Sequence, residues 1–311
     1  MSVPPIISVR ELTHRYGDRL ALDHLTLSVH SGELFAILGP NGGGKTTLFR
    51  VLSTLLRPQE GTVEIAGFDL LGAPATVRQQ MGVVFQAPSL DKKLTVRENL
   101  WCQGRLYGLS TGAITQRGEI LLSRLGLADR AHETVEKLSG GLKRRVEIAK
   151  ALLHQPRILL LDEPSTGLDP LVRSELWSLF QELRQTDQIT ILLTTHLLEE
   201  ADKADRIAIL HQGRLVACDS PATLRGTIAG ESLTVQTSAP AELARTLQEK
   251  LGITGRIFAD SVRYELPAAT EWIARIYAAV PGRIDSLTLG RPSLEDVFIA
   301  RTGCRFDAAA A

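Results

Sequence analysis

The sequence predicts an α/β fold: a core built on a largely parallel sheet, an inserted helical stretch, and a small α+β domain at the C-terminal end. Three observations predict it. Apolar runs of strand length alternate with helical stretches between residues 34 and 210, the order that builds a parallel sheet. A glycine-rich loop at residues 39–47 joins one such run to one such helix. Beyond Ser220 the order becomes strand, helix, strand, strand, helix, strand, which reads as a compact α+β unit.

Residues 6–35 read as strands with turns. Ile6-Ile7-Ser8-Val9 is apolar, Tyr16-Gly17-Asp18 is turn-like, and residues 25–29 alternate with period two. The buried run 34–38 follows, then Gly39, Pro40, Asn41, Gly42, Gly43, Gly44, Lys45, Thr46 and Thr47. These residues fit G-x-x-x-x-G-K-[ST] without mismatch and predict a P-loop NTPase core. Residues 47–56 carry Leu48, Val51, Leu52, Leu55 and Leu56 at helical spacing. Glycines let successive N–H groups converge on an anion, and the helix start adds its dipole. Lys45 supplies a charge for the outer phosphates, and Thr46 a hydroxyl where Mg2+ would sit.

Residues 61–67 and 81–86 read as further strands, the second ending at Gln86. From about 87 to 153 the pattern is helical. Thr95 and Glu98 have capping-box spacing; a second helix spans 114–125 and a third 141–153, with Leu142, Val146, Ala149 and Leu153 on one face. Residues 158–163 form an apolar strand ending in Asp162 and Glu163. A helix over 171–184 precedes a strand, 189–196, that ends in His196. A short helix over 197–204 and a strand over 206–210 close the core. The loop at Gly39, Gln86, Asp162-Glu163 and His196 all fall at strand ends, where parallel sheets bind ligands. After Ser220, strands at 232–236, 255–258, 262–266 and 284–289 enclose helices at 241–251 and 270–280. Ser293 and Asp296 cap a closing helix, 293–300, and residues 307–311 read as a frayed tail. No catalytic constellation stands out in this part.

Composition excludes several classes. Lys+Arg and Asp+Glu are equal at 35 each, so the basic excess expected of a nucleic-acid binder is missing. Cys102, Cys218 and Cys304 are too scattered for a metal or redox motif and read as free thiols in a reducing compartment. No apolar run approaches the roughly 18–20 residues that cross a bilayer. The chain therefore reads as soluble, with docking on a membrane partner left open.

Several residues have two readings when taken alone. Asp162 suits Mg2+ coordination opposite Thr46, and Glu163 suits activation of an attacking water; a carboxylate pair is also an ordinary strand end. Gln86 is either a contact to metal or γ-phosphate or a structural amide. His196 is placed to reach the γ-phosphate or its water. Tyr16 either stacks on a purine or packs. Ser139-Gly140-Gly141 opens a helix, as a second anion site or as a plain serine cap. Lys143, Arg144 and Arg145 read as a solvated basic face.

Together these residues resemble an ABC transporter ATPase subunit. Leu138-Ser139-Gly140-Gly141 matches that family's signature motif. The order also agrees: Tyr16 as the adenine-stacking aromatic, 39–47 as Walker A, Gln86 as the Q-loop, Asp162 and Glu163 as Walker B, Asp169 as the D-loop and His196 as the switch histidine. The resemblance covers about residues 5–220, with the accessory α+β domain at 221–311. It implies ATP and Mg2+ as ligands, the metal on Thr46, Gln86 and Asp162. It also implies a head-to-tail homodimer in which Ser139, Gly140, Gly141 and Asp169 of one chain meet the ATP of the other. A separate transmembrane permease would be touched by the helical subdomain, placing the chain on the cytoplasmic face of the membrane. Leu142 stands where the family often has Gln, and Gly43 where Ala is common; neither removes the chemistry. Residues 292–298, Pro-Ser-Leu-Glu-Asp-Val-Phe, resemble the extension of exporters of the drug, lipo-oligosaccharide and sodium efflux type. Two other readings compete: a non-transport ATPase of translation or DNA maintenance, and a module that closes on ATP without turnover. The single Walker A, the missing coiled-coil heptads and zero net charge oppose the first; Glu163 and His196 oppose the second.

Overall fold

The computed structural model describes residues 4–228, 231–266, 268–290 and 292–306; the tail at 307–311 lies outside them. The chain forms two compact units, one running to Ser220 and the other from Pro221 to Phe306.

The first unit begins with β1 (Ile7–Tyr16), β2 (Arg19–Val29), β3 (Leu34–Leu38), α1 (Lys45–Leu52), β4 (Glu60–Ile65), β5 (Phe68–Asp69), α2 (Pro74–Gln80) and β6 (Met81–Val84). The helical stretch holds α3 (Val96–Leu106), α4 (Thr111–Arg124) and α5 (Gly140–Leu152). Then come β7 (Ile158–Asp162), α6 (Pro170–Asp187), β8 (Thr190–Thr195), α7 (Leu198–Ala201), β9 (Arg206–His211) and β10 (Arg214–Asp219).

Six strands make the main sheet, in the order β10-β9-β3-β8-β7-β6. All its pairs are parallel except β10 with β9. Strands β3, β7 and β8 are buried at every residue, as parallel strands covered on both faces must be. The first two strands join β4 and β5 in a separate antiparallel sheet, β2-β1-β4-β5. Between the two sheets lies α1, whose Leu48, Phe49, Val51 and Leu52 pack among Ile7, Leu22, Leu160 and Leu192. These four helix residues lie at i, i+1, i+3 and i+4 and form one apolar face, with Thr46 and Arg50 exposed on the other side.

That helix stops earlier than its apolar spacing predicts. Thr54 adopts φ 64°, and the N–H groups of Leu55 and Leu56 both return to the Arg50 carbonyl at 2.9 and 3.0 Å. The left-handed residue closes the helix and leaves Leu55 exposed. Strand β10 is a further difference. Its four central residues are only half-buried and both its ends are exposed, so it lacks the solid apolar run that marks its neighbours.

The second unit contains α8 (Pro221–Gly226), β11 (Glu231–Gln236), α9 (Pro240–Leu251), β12 (Arg256–Ile257), β13 (Ser261–Leu266), α10 (Ala269–Ala279), β14 (Ser286–Gly290) and α11 (Leu294–Thr302). Its sheet is antiparallel, in the order β12-β13-β11-β14. Leu233, Val235, Leu243, Leu247, Val262, Tyr264 and Ile276 form its core. Both arms of the Ser293–Asp296 capping box are made.

Tyr264 is fully buried and its hydroxyl finds no partner among the described residues. Burial pushes its pKa up to about 12 from 10. Below pH 10 the phenol is neutral folded and unfolded alike; between pH 10 and about 12 only the unfolded chain ionises, so stability falls across that window. Tyr264→Phe removes an unsatisfied donor, which costs about 1–3 kcal/mol when buried. We expect the variant to match or exceed the parent in urea melts at neutral pH and to lose less stability above pH 10. A loss at neutral pH would show that the hydroxyl is bonded.

Candidate functional site

The loop between β3 and α1 is shaped by close approaches that only glycine tolerates. A Cβ on Gly39 would lie 2.5 Å from the Leu210 carbonyl oxygen, and Gly44 holds φ 107°. Lys45 folds back into this loop. Its Nζ donates to the carbonyls of Gly39 at 2.7 Å and Pro40 at 3.1 Å, and stands 3.8 Å from Glu163 Oε1. Burial draws its pKa down, against the opposing fields of Glu163 and Asp162.

Asp162 ends β7, buried, with Oδ1 accepting from the Thr194 hydroxyl at 2.6 Å. Burial foremost raises its pKa, opposed by that hydrogen bond and by Lys45. Glu163 follows with φ 44°, a left-handed conformation that costs a non-glycine residue energy. Its N–H is held by both the carbonyl and the hydroxyl oxygen of Thr194, at 3.2 and 3.0 Å. Glu163 Oε2 accepts from Gln86 Nε2 and from Thr166 Oγ1, each at 3.2 Å. His196 Nδ1 is also 3.2 Å from that oxygen, without the angle of a hydrogen bond. Four strand ends thus converge on one carboxylate.

These groups line a cleft of about 540 Å3. Of the residues singled out in the sequence, Tyr16, Asn41, Gly42, Gly44, Lys45, Thr46, Thr47, Gln86, Glu163 and His196 line it. Gly39, Pro40 and Gly43 shape the loop from behind, and Asp162 lies buried at the end of β7. Arg19, Ala21 and Thr166 also line the cleft, and the sequence reading missed them. Arg19 pairs across the hairpin with Tyr16, and a Cβ on Gly42 would sit 3.2 Å from its guanidinium. Ser139, Gly140, Gly141 and Asp169 do not line it. Ser139 Oγ caps α5 by accepting from the Leu142 N–H at 3.3 Å. Asp169 caps α6 through the Val172 N–H at 3.0 Å. The two helix starts touch, since a Cβ on Gly141 would meet Val172 at 2.5 Å.

Arg144 corrects the expectation of a solvated basic face. Its guanidinium is buried, donating to Glu147 Oε2 at 2.9 Å, the Phe85 carbonyl at 2.8 Å and the Gln86 carbonyl at 3.4 Å. Glu147 in turn accepts from the Ser89 N–H at 2.7 Å. Burial lowers the Arg144 pKa and raises that of Glu147. The pair fastens the segment around Gln86 to α5. Arg144→Ala strands a buried carboxylate and two carbonyls, so it should cost about 3–5 kcal/mol in a urea melt. Arg144→Met with Glu147→Leu should cost far less. A loss under about 1 kcal/mol in the single variant would show the pair to be solvated.

The oxygen donors of Thr46, Gln86 and Asp162 are hard ligands of the kind Mg2+ takes, few in number, with water and phosphate completing its shell. Among the described residues no cluster of three or more His, Cys, Asp or Glu forms a separate metal site. No described helix is long and apolar enough to cross a membrane.

Comparisons with known proteins identify the family and the fold. A family model described as ABC transporter matches residues 22–166. The daunorubicin resistance ATP-binding protein DrrA2 of Streptomyces coeruleorubidus is 38% identical over 317 residues, covering 96% of this chain and 95% of the other. The Nod factor export ATP-binding protein I of Burkholderia lata is 37% identical over 309 residues, covering 97% and 98%. Among solved structures, cbiO1 of Clostridium perfringens, part of an ABC transporter complex, superimposes with TM-score 0.67 at 29% identity, over 80% of this chain and 97% of that one. An ATP-binding cassette solved as a dimer in a post-hydrolysis state with ADP and Pi gives TM-score 0.62 at 28% identity, over 69% and 98%. With relatives this similar over nearly its full length, the chain belongs to the ABC transporter family, as one of its ATP-binding subunits.

Proposed function

We propose that the chain hydrolyses Mg-ATP as a head-to-tail homodimer and thereby powers export through a separate membrane permease, on the cytoplasmic face. The observation that carries this reading is the convergence of Lys45, Gln86, Thr166 and His196 on Glu163 inside the loop cleft. In this reading the loop N–H groups and Lys45 hold the phosphates, and Tyr16 stacks on the base. Glu163 takes the proton of the attacking water, and His196 orients it toward the γ-phosphate. Thr46, Gln86 and Asp162 would hold Mg2+, which neutralises phosphate charge when bound.

Ser139, Gly140 and Asp169 stand exposed at helix starts outside the chain's own cleft, and Gly141 lies buried beside them against Val172. That placement suits contact with nucleotide on a second copy, and an ATP-binding cassette at TM-score 0.62 was solved as a dimer. Export is supported by the relatives named for drug resistance and Nod factor export, whose similarity runs through the second unit as well. Domain limits of 1–220 and 221–311, with a helical subdomain at about 87–153 facing the permease, complete the proposal.

The test is affinity capture of the tagged chain from detergent-solubilised membranes, with ATP turnover measured on the captured complex. Recovery of a polytopic membrane protein with Mg-dependent turnover is expected. Recovery of ribosomes or DNA instead would overturn the transport reading.

A further inference from the structure

Glu200 is a buried carboxylate that none of the steps above uses. It is 2% exposed and sits in α7, directly after the loop that carries His196. Its Oε1 accepts from the Ser165 hydroxyl, which belongs to the segment between Glu163 and Asp169. Its Oε2 accepts from the Thr195 hydroxyl at 2.8 Å. That same hydroxyl oxygen receives the Leu197 N–H at 3.0 Å, closing a turn around His196. The Arg173 Nε lies 3.7 Å from Oε1, and its Nη2 donates to the Leu168 carbonyl at 3.4 Å, beside Asp169. Ser165 and Thr195 are each 2% exposed.

We propose that Glu200 is a positioning residue that latches the segment of Glu163 and Asp169 to the turn of His196, so that the segments after these two adjacent strands move together. Burying a carboxylate is costly, and an apolar side chain would fill the same space more cheaply. What a carboxylate adds is two acceptors in fixed geometry, one for each segment, and such networks select a single arrangement. His196 Nδ1 makes no hydrogen bond to Glu163, and the turn that carries it is closed by the Leu197 N–H on the Thr195 hydroxyl. The catalytic part of the proposal rests on the ATP-hydrolysis reading; the mechanical part does not.

The test compares the full chain with Ser165→Ala, Thr195→Val, Glu200→Gln and Glu200→Ala. Amide hydrogen exchange is read in peptides spanning 163–169 and 195–201, and ATP turnover alongside. Ser165→Ala should speed exchange at Leu197, on the other segment, by about fivefold or more. It should lower kcat with little change in KM. Combined with Thr195→Val, its effects on kcat should fall short of adding. Glu200→Gln keeps one acceptor and a donor that the Ser165 oxygen can take, so it should hold the segments together where Glu200→Ala releases them. If Glu200→Ala fails to fold, the Ser165→Ala exchange result decides alone. Faster exchange confined to 163–169, with 195–201 as in the parent, overturns the latch. A coupled exchange response in a parent chain that turns over no ATP would keep the latch and overturn the hydrolysis reading.

Discussion

Glu163→Gln is expected to bind ATP and pair up, yet hydrolyse it about 100-fold to 10000-fold more slowly, the range a lost general base commands. The amide keeps the size of the carboxylate and its contacts to Gln86 and Thr166, each at 3.2 Å in the parent. What disappears is the proton acceptor and one negative charge at the mouth of the loop. That charge stands 3.8 Å from Lys45 and repels an incoming phosphate, so its removal favours nucleotide binding while it removes chemistry. Affinity and turnover should therefore move in opposite directions. Light scattering with Mg-ATP should show a longer-lived dimer than the parent forms, and a phosphate-release assay should show the slow turnover. Unchanged turnover would take Glu163 out of the reaction.

The left-handed backbone of Glu163 illustrates what the sequence could and could not show. The run 158–162 made a buried strand legible, and the parallel core follows from several such runs ending in polar residues. The sharp turn that aims Glu163 across the cleft depends on Thr194, 31 residues away, and no local pattern contains it. Thr166, three residues after Glu163, has turn spacing, and Arg19 follows the Tyr16 turn; both signals were present and weak. Arg144 was misread for a related reason. A run of Lys-Arg-Arg on a helix looks solvated until Glu147 and the carbonyls of Phe85 and Gln86 are seen to enclose the middle residue. The early stop of α1 was hidden because Leu55 and Leu56 continue the apolar spacing past Thr54, where the backbone turns left-handed. Nor does the serine cap on α5 announce a second chain: within one copy Ser139 does what any N-cap does.

Lys45→Ala should separate nucleotide binding from folding. In the folded chain the Lys45 amine is almost wholly buried and bonded to two loop carbonyls. Burial already pulls its pKa down, so keeping this charge costs the fold free energy, and the hydrogen bonds only partly offset that cost. Removing the side chain leaves the Gly39 and Pro40 carbonyls without their donor but also removes a desolvated charge. The two changes oppose one another, and the melting temperature of the nucleotide-free chain should shift by no more than about 2–4 °C. Binding has no such compensation. The triphosphate loses its one buried cation in the loop, and truncating such a charge partner costs about 2–5 kcal/mol, roughly 30-fold to several thousand-fold in affinity. Titration with a fluorescent ATP analogue, beside thermal melts of the free chain, reads both quantities. Parent-like affinity in the variant would move the phosphate site away from the loop. A collapse of the melting temperature would show that the amine holds the loop together even before any nucleotide arrives.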